Sequence, residues 1–143
     1  MSRRKGRVLA FQALYSWDVG GIPKDSLMSF SWAEAQGKSG IDENTKTFAA
    51  FIIAGTLEHI EEIDKHIKAN LSKNWDFSRL DRVALAILRM SVYSLLFQND
   101  IPPTIVMDEA VGIAKEFGSD DSYKFINAML DSVSKNPRSV KES

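Results

Sequence analysis

Apolar residues recur at spacings of three and four along nearly the whole chain, and no sustained stretch alternates with period two. This pattern predicts an all-helical protein. The first helix runs from about Arg4 to Val19 and stops at Gly20-Gly21. Pro23 suits the first turn of a second helix reaching about Ala35. Residues 36–40 (Gln-Gly-Lys-Ser-Gly) read as a mobile loop. Asp42 is placed to cap a long third helix over about 43–71, with Phe48, Ile52, Ile53, Leu57, Ile60, Ile63, Ile67 and Leu71 forming its stripe. Asn74-Trp75-Asp76-Phe77 breaks the pattern. A fourth helix spans about Leu80 to Phe97, and a fifth starts at Pro103 or Thr104 and ends at Gly118 as a C′ residue. A sixth, capped by Ser119 or Asp120, runs to about Ser134. These helices group as two packed three-helix bundles within one domain, about 1–74 and 75–136, with a frayed tail at 137–143.

Composition narrows the function without changing this fold. Apolar residues make up 44% and charged residues 26%, as in ordinary soluble globular proteins. The chain has no cysteine, which excludes disulfides, thiolate zinc sites and cysteine nucleophiles. Gln12, Ser16 and Asp18 interrupt the apolar run after the basic start, unlike a signal peptide, and no segment is long enough to span a membrane. The expectation is a soluble, unprocessed, cytoplasmic protein.

Charge is the informative departure. Arg3, Arg4, Lys5 and Arg7 precede the first acid, Asp18. The remaining 14 basic and 19 acidic residues leave the rest of the chain at −5. Cations at a helix N-terminus oppose the helix dipole, and Gly6 adds a propensity cost of about 1 kcal/mol. A cluster that works against its own helix points to an external anion, and nucleic-acid phosphate is the natural one. Gln12 and Ser16 continue a polar strip on this helix, and Tyr15 borders it, placed to stack on an unpaired base. On the sixth helix, Ile126, Met129, Leu130 and Val133 face inward, while Asp120, Lys124, Asn127 and Asp131 lie opposite and Phe125 on the flank. Lys124 suits a phosphate, Phe125 a base face and Asn127 a base edge. His59, Glu62 and His66 share a helical face, but with no matching acid–histidine motif opposite they read as a solvated face rather than a metal site. With no nucleophile–base pair and no phosphate-cradling glycine loop, neither catalysis nor a cofactor is expected.

These residues together resemble the NusB family of bacterial transcription antitermination factors. The resemblance is carried by Arg3-Arg4-Lys5-Gly6-Arg7 with Gln12-Ala13-Leu14-Tyr15-Ser16-Trp17, by Ile87-Leu88-Arg89 with Val92-Tyr93-Ser94-Leu95, and by Ile101-Pro102-Pro103. It continues through Asp108-Glu109-Ala110-Val111, Ala114-Lys115 and Phe117-Gly118 to Asp121-Ser122-Tyr123-Lys124-Phe125-Ile126-Asn127 and Leu130-Asp131. It covers nearly the full length. It implies two three-helix bundles that bind single-stranded boxA RNA as a heterodimer with NusE, the ribosomal protein that doubles as a Nus factor. That complex joins RNA polymerase and suppresses termination, chiefly in ribosomal RNA operons. The RNA surface it implies is Arg3, Arg4, Lys5, Arg7, Gln12, Tyr15, Asp121, Lys124, Phe125 and Asn127.

Three positions depart from the family pattern. Gly6 replaces a usual helix-forming alanine, which implies a looser basic arm that orders on RNA. Ser94 replaces a usual glutamate, and Asp108 a usual asparagine, so polar contacts to NusE would differ if either touches it. Two rival readings remain. A detached piece of an RNA cytosine methyltransferase would need an α/β cofactor domain and a cysteine nucleophile, and this chain has neither. A helical module binding only protein, a homodimer for example, would make the arginine arm dispensable.

Overall fold

A computed structural model describes residues 3–35 and 40–135. The described residues form α1 (Arg3–Gly20), α2 (Lys24–Met28), α3 (Ser31–Ala35), α4 (Glu43–Glu58), α5 (Ile60–Ala69), α6 (Arg82–Phe97), α7 (Pro103–Phe117) and α8 (Ser122–Lys135), with one 3-10 turn at Phe77–Arg79. No strand occurs among them, and the all-helical reading holds. The loop expected at 36–40 falls almost wholly outside the described residues, as does the tail beyond Lys135.

Local chemistry sets the ends of the helices. Gly21, at φ +65°, takes the left-handed conformation that closes α1. Asp42 accepts the Thr45 N–H at 2.6 Å and Asp81 accepts the Ala84 N–H at 3.0 Å, capping α4 and α6. Asp76 accepts both the N–H and the hydroxyl of Ser78, at 3.0 and 2.8 Å, fixing the 3-10 turn. Pro103 opens α7, where its missing N–H costs nothing.

Three expected boundaries move, and a fourth keeps its place with a different conformation. The second helix is two short pieces, because Phe30 adopts φ +57° and drives its ring into the core. The long third helix breaks at His59, whose φ of −109° and ψ of 21° end α4 and let α5 turn Ile63, His66 and Ile67 inward. The face carrying His59 and His66 is therefore not solvated: His66 is buried, and the His59 ring stacks on Phe97 at 4.0 Å. Helix α8 starts at Ser122, past both Ser119 and Asp120. The serine hydroxyl there donates to the Ser119 carbonyl at 2.9 Å. Gly118 ends α7 with extended backbone, not left-handed; a Cβ there would stand 2.8 Å from the Ala114 carbonyl.

Helix α6 lies at the centre. Every residue from Ala84 to Ser94 is buried, and α1, α4, α5, α7 and α8 all pack on it. One apolar cluster runs from Leu9, Phe11 and Leu14 of α1 through α6 to Ile126, Leu130 and Val133 of α8. Arg89 is the main charge inside it. It donates to both carboxylate oxygens of Asp64, at 2.9 and 3.0 Å, comes within 3.7 Å of Asp18, and lies against the Trp17 and Phe77 rings. Pairing of this kind is what makes a buried guanidinium tolerable.

Candidate nucleic-acid interface

The basic start of α1 is helical from Arg3, with no acid in its first turn. Its side chains go to different places. Arg3, Arg4 and Lys5 are exposed, whereas Arg7 is buried at 2% exposure. Arg4 Nε donates to Glu109 Oε2 of α7 at 2.5 Å. Its guanidinium occupies the space a side chain at Gly112 would take: a Cβ there would stand 2.5 Å from Nη2 and 2.8 Å from Nη1. Glu109 and Gly112, three residues apart on one helical face, thus form a charged wall and a bare floor for Arg4.

Arg7 points into the fold. Its Nη1 donates to the Ser94 hydroxyl at 3.3 Å and its guanidinium lies 5.8 Å from the Phe48 ring centre. Burial lowers its pKa, the Glu109 carboxylate acts in the opposite sense, and repulsion from Arg3 adds to the lowering. Ser94 in turn donates to Gln98 Oε1 at 2.5 Å. Arg7 therefore ties α1 to α6 and does not share the exposure of Arg3 and Lys5. Gly6 also differs from expectation. It is buried within α1, and a Cβ on it would collide with the Phe48 ring. Its small size lets α1 approach α4 closely.

Farther along α1, Gln12 is half-buried and Tyr15 is exposed at 36%. Phe11 packs on Phe117 with ring centres 5.2 Å apart, joining α1 to the end of α7. From there the chain turns into α8. Asp121 and Lys124 are exposed and lie 3.6 Å apart, one turn from each other. Asn127 is exposed, and Ile126, Met129, Leu130 and Val133 are buried. Phe125 is half-buried, its ring 5.6 Å from that of Trp75. Arg4 thus meets α7 at its middle, and the α8 residues follow the C-terminal end of α7, after Gly118. Sequence reasoning did not single out Glu109, Gly112 or Trp75 for this surface. The only signal for Trp75 was an aromatic set between Lys73 and Arg79.

Among the described residues, no group of three metal-ligating side chains comes together, and no helix is long and apolar enough to cross a membrane. A profile of the NusB family matches residues 4–135. The transcription antitermination protein NusB of Treponema denticola is 55% identical over 134 residues, spanning 93% of this chain and 96% of the relative. That of Borreliella burgdorferi is 43% identical over 134 residues, spanning 93% and 94%. The crystal form of NusB from T. maritima superposes with a TM-score of 0.81 at 32% identity, covering 100% of this chain and 99% of that one. A structure of antitermination factors NusB and NusE in complex with dsRNA gives a TM-score of 0.81 at 28% identity, covering 93% and 96%.

Proposed function

We propose, from the premise that this chain belongs to the NusB family, that it is a cytoplasmic, non-enzymatic antitermination factor that binds RNA. In this reading it recognises single-stranded boxA RNA as a heterodimer with NusE, joins the RNA polymerase antitermination complex, and suppresses termination chiefly in ribosomal RNA operons. The observation that carries it is the seating of Arg4 on Glu109 and Gly112 at the middle of α7, with exposed Lys124 and half-buried Phe125 on α8 beyond its C-terminal end. Arg3, Arg4, Lys5 and Lys124 hold phosphates. Tyr15 and Phe125 stack on bases, and Gln12, Asp121 and Asn127 line the path between. Arg7 acts from inside by holding α1 against α6. The chain works as one domain, with bundles of about 1–74 and 75–136 sharing the apolar cluster around α6, and needs no metal or cofactor.

The test is fluorescence anisotropy of a labelled boxA RNA against a scrambled RNA, with and without NusE. The expected result is a boxA preference that tightens with NusE. With four phosphate contacts, log affinity should fall against log salt with a slope of about −3. Equal, weak binding to both RNAs, unchanged by NusE, would leave a helical module that binds only protein.

A further inference from the structure

Trp75 is the most exposed aromatic on the connection between α5 and α6, with 56% of its surface open. A tryptophan is seldom left so bare when a core lies next to it. Its backbone is fixed: the Trp75 N–H donates to the Ser72 carbonyl at 3.0 Å, and Asp76 is anchored through Ser78. Its ring is fixed as well, tilted 33° from the Phe125 ring at 5.6 Å between centres. Phe125 backs Trp75 while much of the indole stays open. The residues around it are polar: Ser72, Lys73, Asn74, Asp76, Ser78 and Arg79 are all exposed. A lone rigid ring among polar and cationic residues suits one flat base with its phosphate. A protein partner would want a broader apolar patch.

We propose that Trp75 is a further RNA-binding residue, and that its indole stacks on one unpaired base while Lys73 or Arg79 meets the adjoining phosphate. The RNA surface then continues from α8 onto the α5–α6 connection. This rests on the reading of Phe125 as an RNA contact, and ordering the ring in advance removes part of the entropic cost of stacking.

The experiment compares Trp75→Leu, Trp75→Phe and Phe125→Leu with the native chain, using anisotropy of a labelled single-stranded boxA RNA with NusE present. Trp75→Leu should weaken binding about tenfold, within the range for losing one stacked base, while Trp75→Phe should stay within about threefold of the native chain because it keeps a ring. RNA should quench the tryptophan fluorescence of the native chain, and Trp75→Phe should abolish most of that quenching. Circular dichroism should be unchanged in the two Trp75 variants, because Trp75 lies outside the helices, and in Phe125→Leu, because leucine is at least as good a helix former as phenylalanine. If Phe125→Leu loses binding while Trp75→Leu matches the native chain, the RNA surface ends at α8 and the proposal fails alone. If neither substitution matters, the RNA reading of α8 fails with it. If Trp75→Leu weakens NusE binding but not RNA binding, the ring serves a protein partner and the proposal is overturned.

Discussion

The two ends of the candidate interface hold their charge in opposite ways. At α1, Arg4 is clamped by Glu109 over Gly112 and Arg7 is buried between Phe48 and Ser94. At α8, Asp121 and Lys124 pair with each other on the surface, and Lys124 lies near the Tyr123 ring. The same residue types therefore carry different duties. Arg4 and Arg7 are part of the packing that places them, so altering either disturbs the scaffold along with the surface. The α8 residues stand on a helix already secured by Ile126, Met129, Leu130 and Val133, and are open to change without loss of fold.

The comparison breaks most visibly at Arg7. Arg7→Ala should lose about 2–4 kcal/mol of stability in urea unfolding, because it empties a buried site beside Phe48 and removes the tie to Ser94. Unchanged stability with lost RNA binding would make α1 as open as α8. Phe125→Ser should weaken RNA binding by about 1–3 kcal/mol in anisotropy titrations, while the unfolding midpoint moves less than for Arg7→Ala. Lys124→Ala should leave stability within about 0.5 kcal/mol and make the salt slope shallower by about 0.7. A large fall in stability would mean that α8 is as tied to the fold as α1. The smallest effect is a background common to both ends. The Thr45 hydroxyl and N–H hold the Asp42 carboxyl below its ordinary value. The stability this cap contributes is complete above the ordinary carboxylate range, near pH 4, and is lost as pH falls through the lowered value. Asp42→Asn should flatten the acid limb of melting temperature against pH without changing RNA binding at neutral pH.

The helices were legible because their apolar stripes and caps are local. Asp42, Pro103 and Gly21 act on their nearest neighbours, and the sequence shows those neighbours. The breaks at Phe30 and His59 were not legible. Nothing near either residue forbids a continuous helix, and the turn is imposed by what the next segment buries. Arg3 and Arg7 looked alike for the same reason. Only the approach of Phe48 and Ser94, 41 and 87 residues away from Arg7, separates an outward cation from an inward one. The crowded centre had a visible mark in Ala84–Tyr93, apolar on nearly every side, which suits a helix enclosed by others. Trp75 read as a boundary, because exposure is a property of the packed molecule.

The enclosure of α6 by five other helices also governs how solvent hydrogen reaches it. Its amides have no partial opening through which to exchange with deuterium, since loosening any one neighbour leaves the others in place. They should exchange only when the whole molecule opens, so their rates would report global stability residue by residue. Ligand binding would then slow exchange deep in α6 by the same factor at every amide, whichever end of the surface the ligand touched.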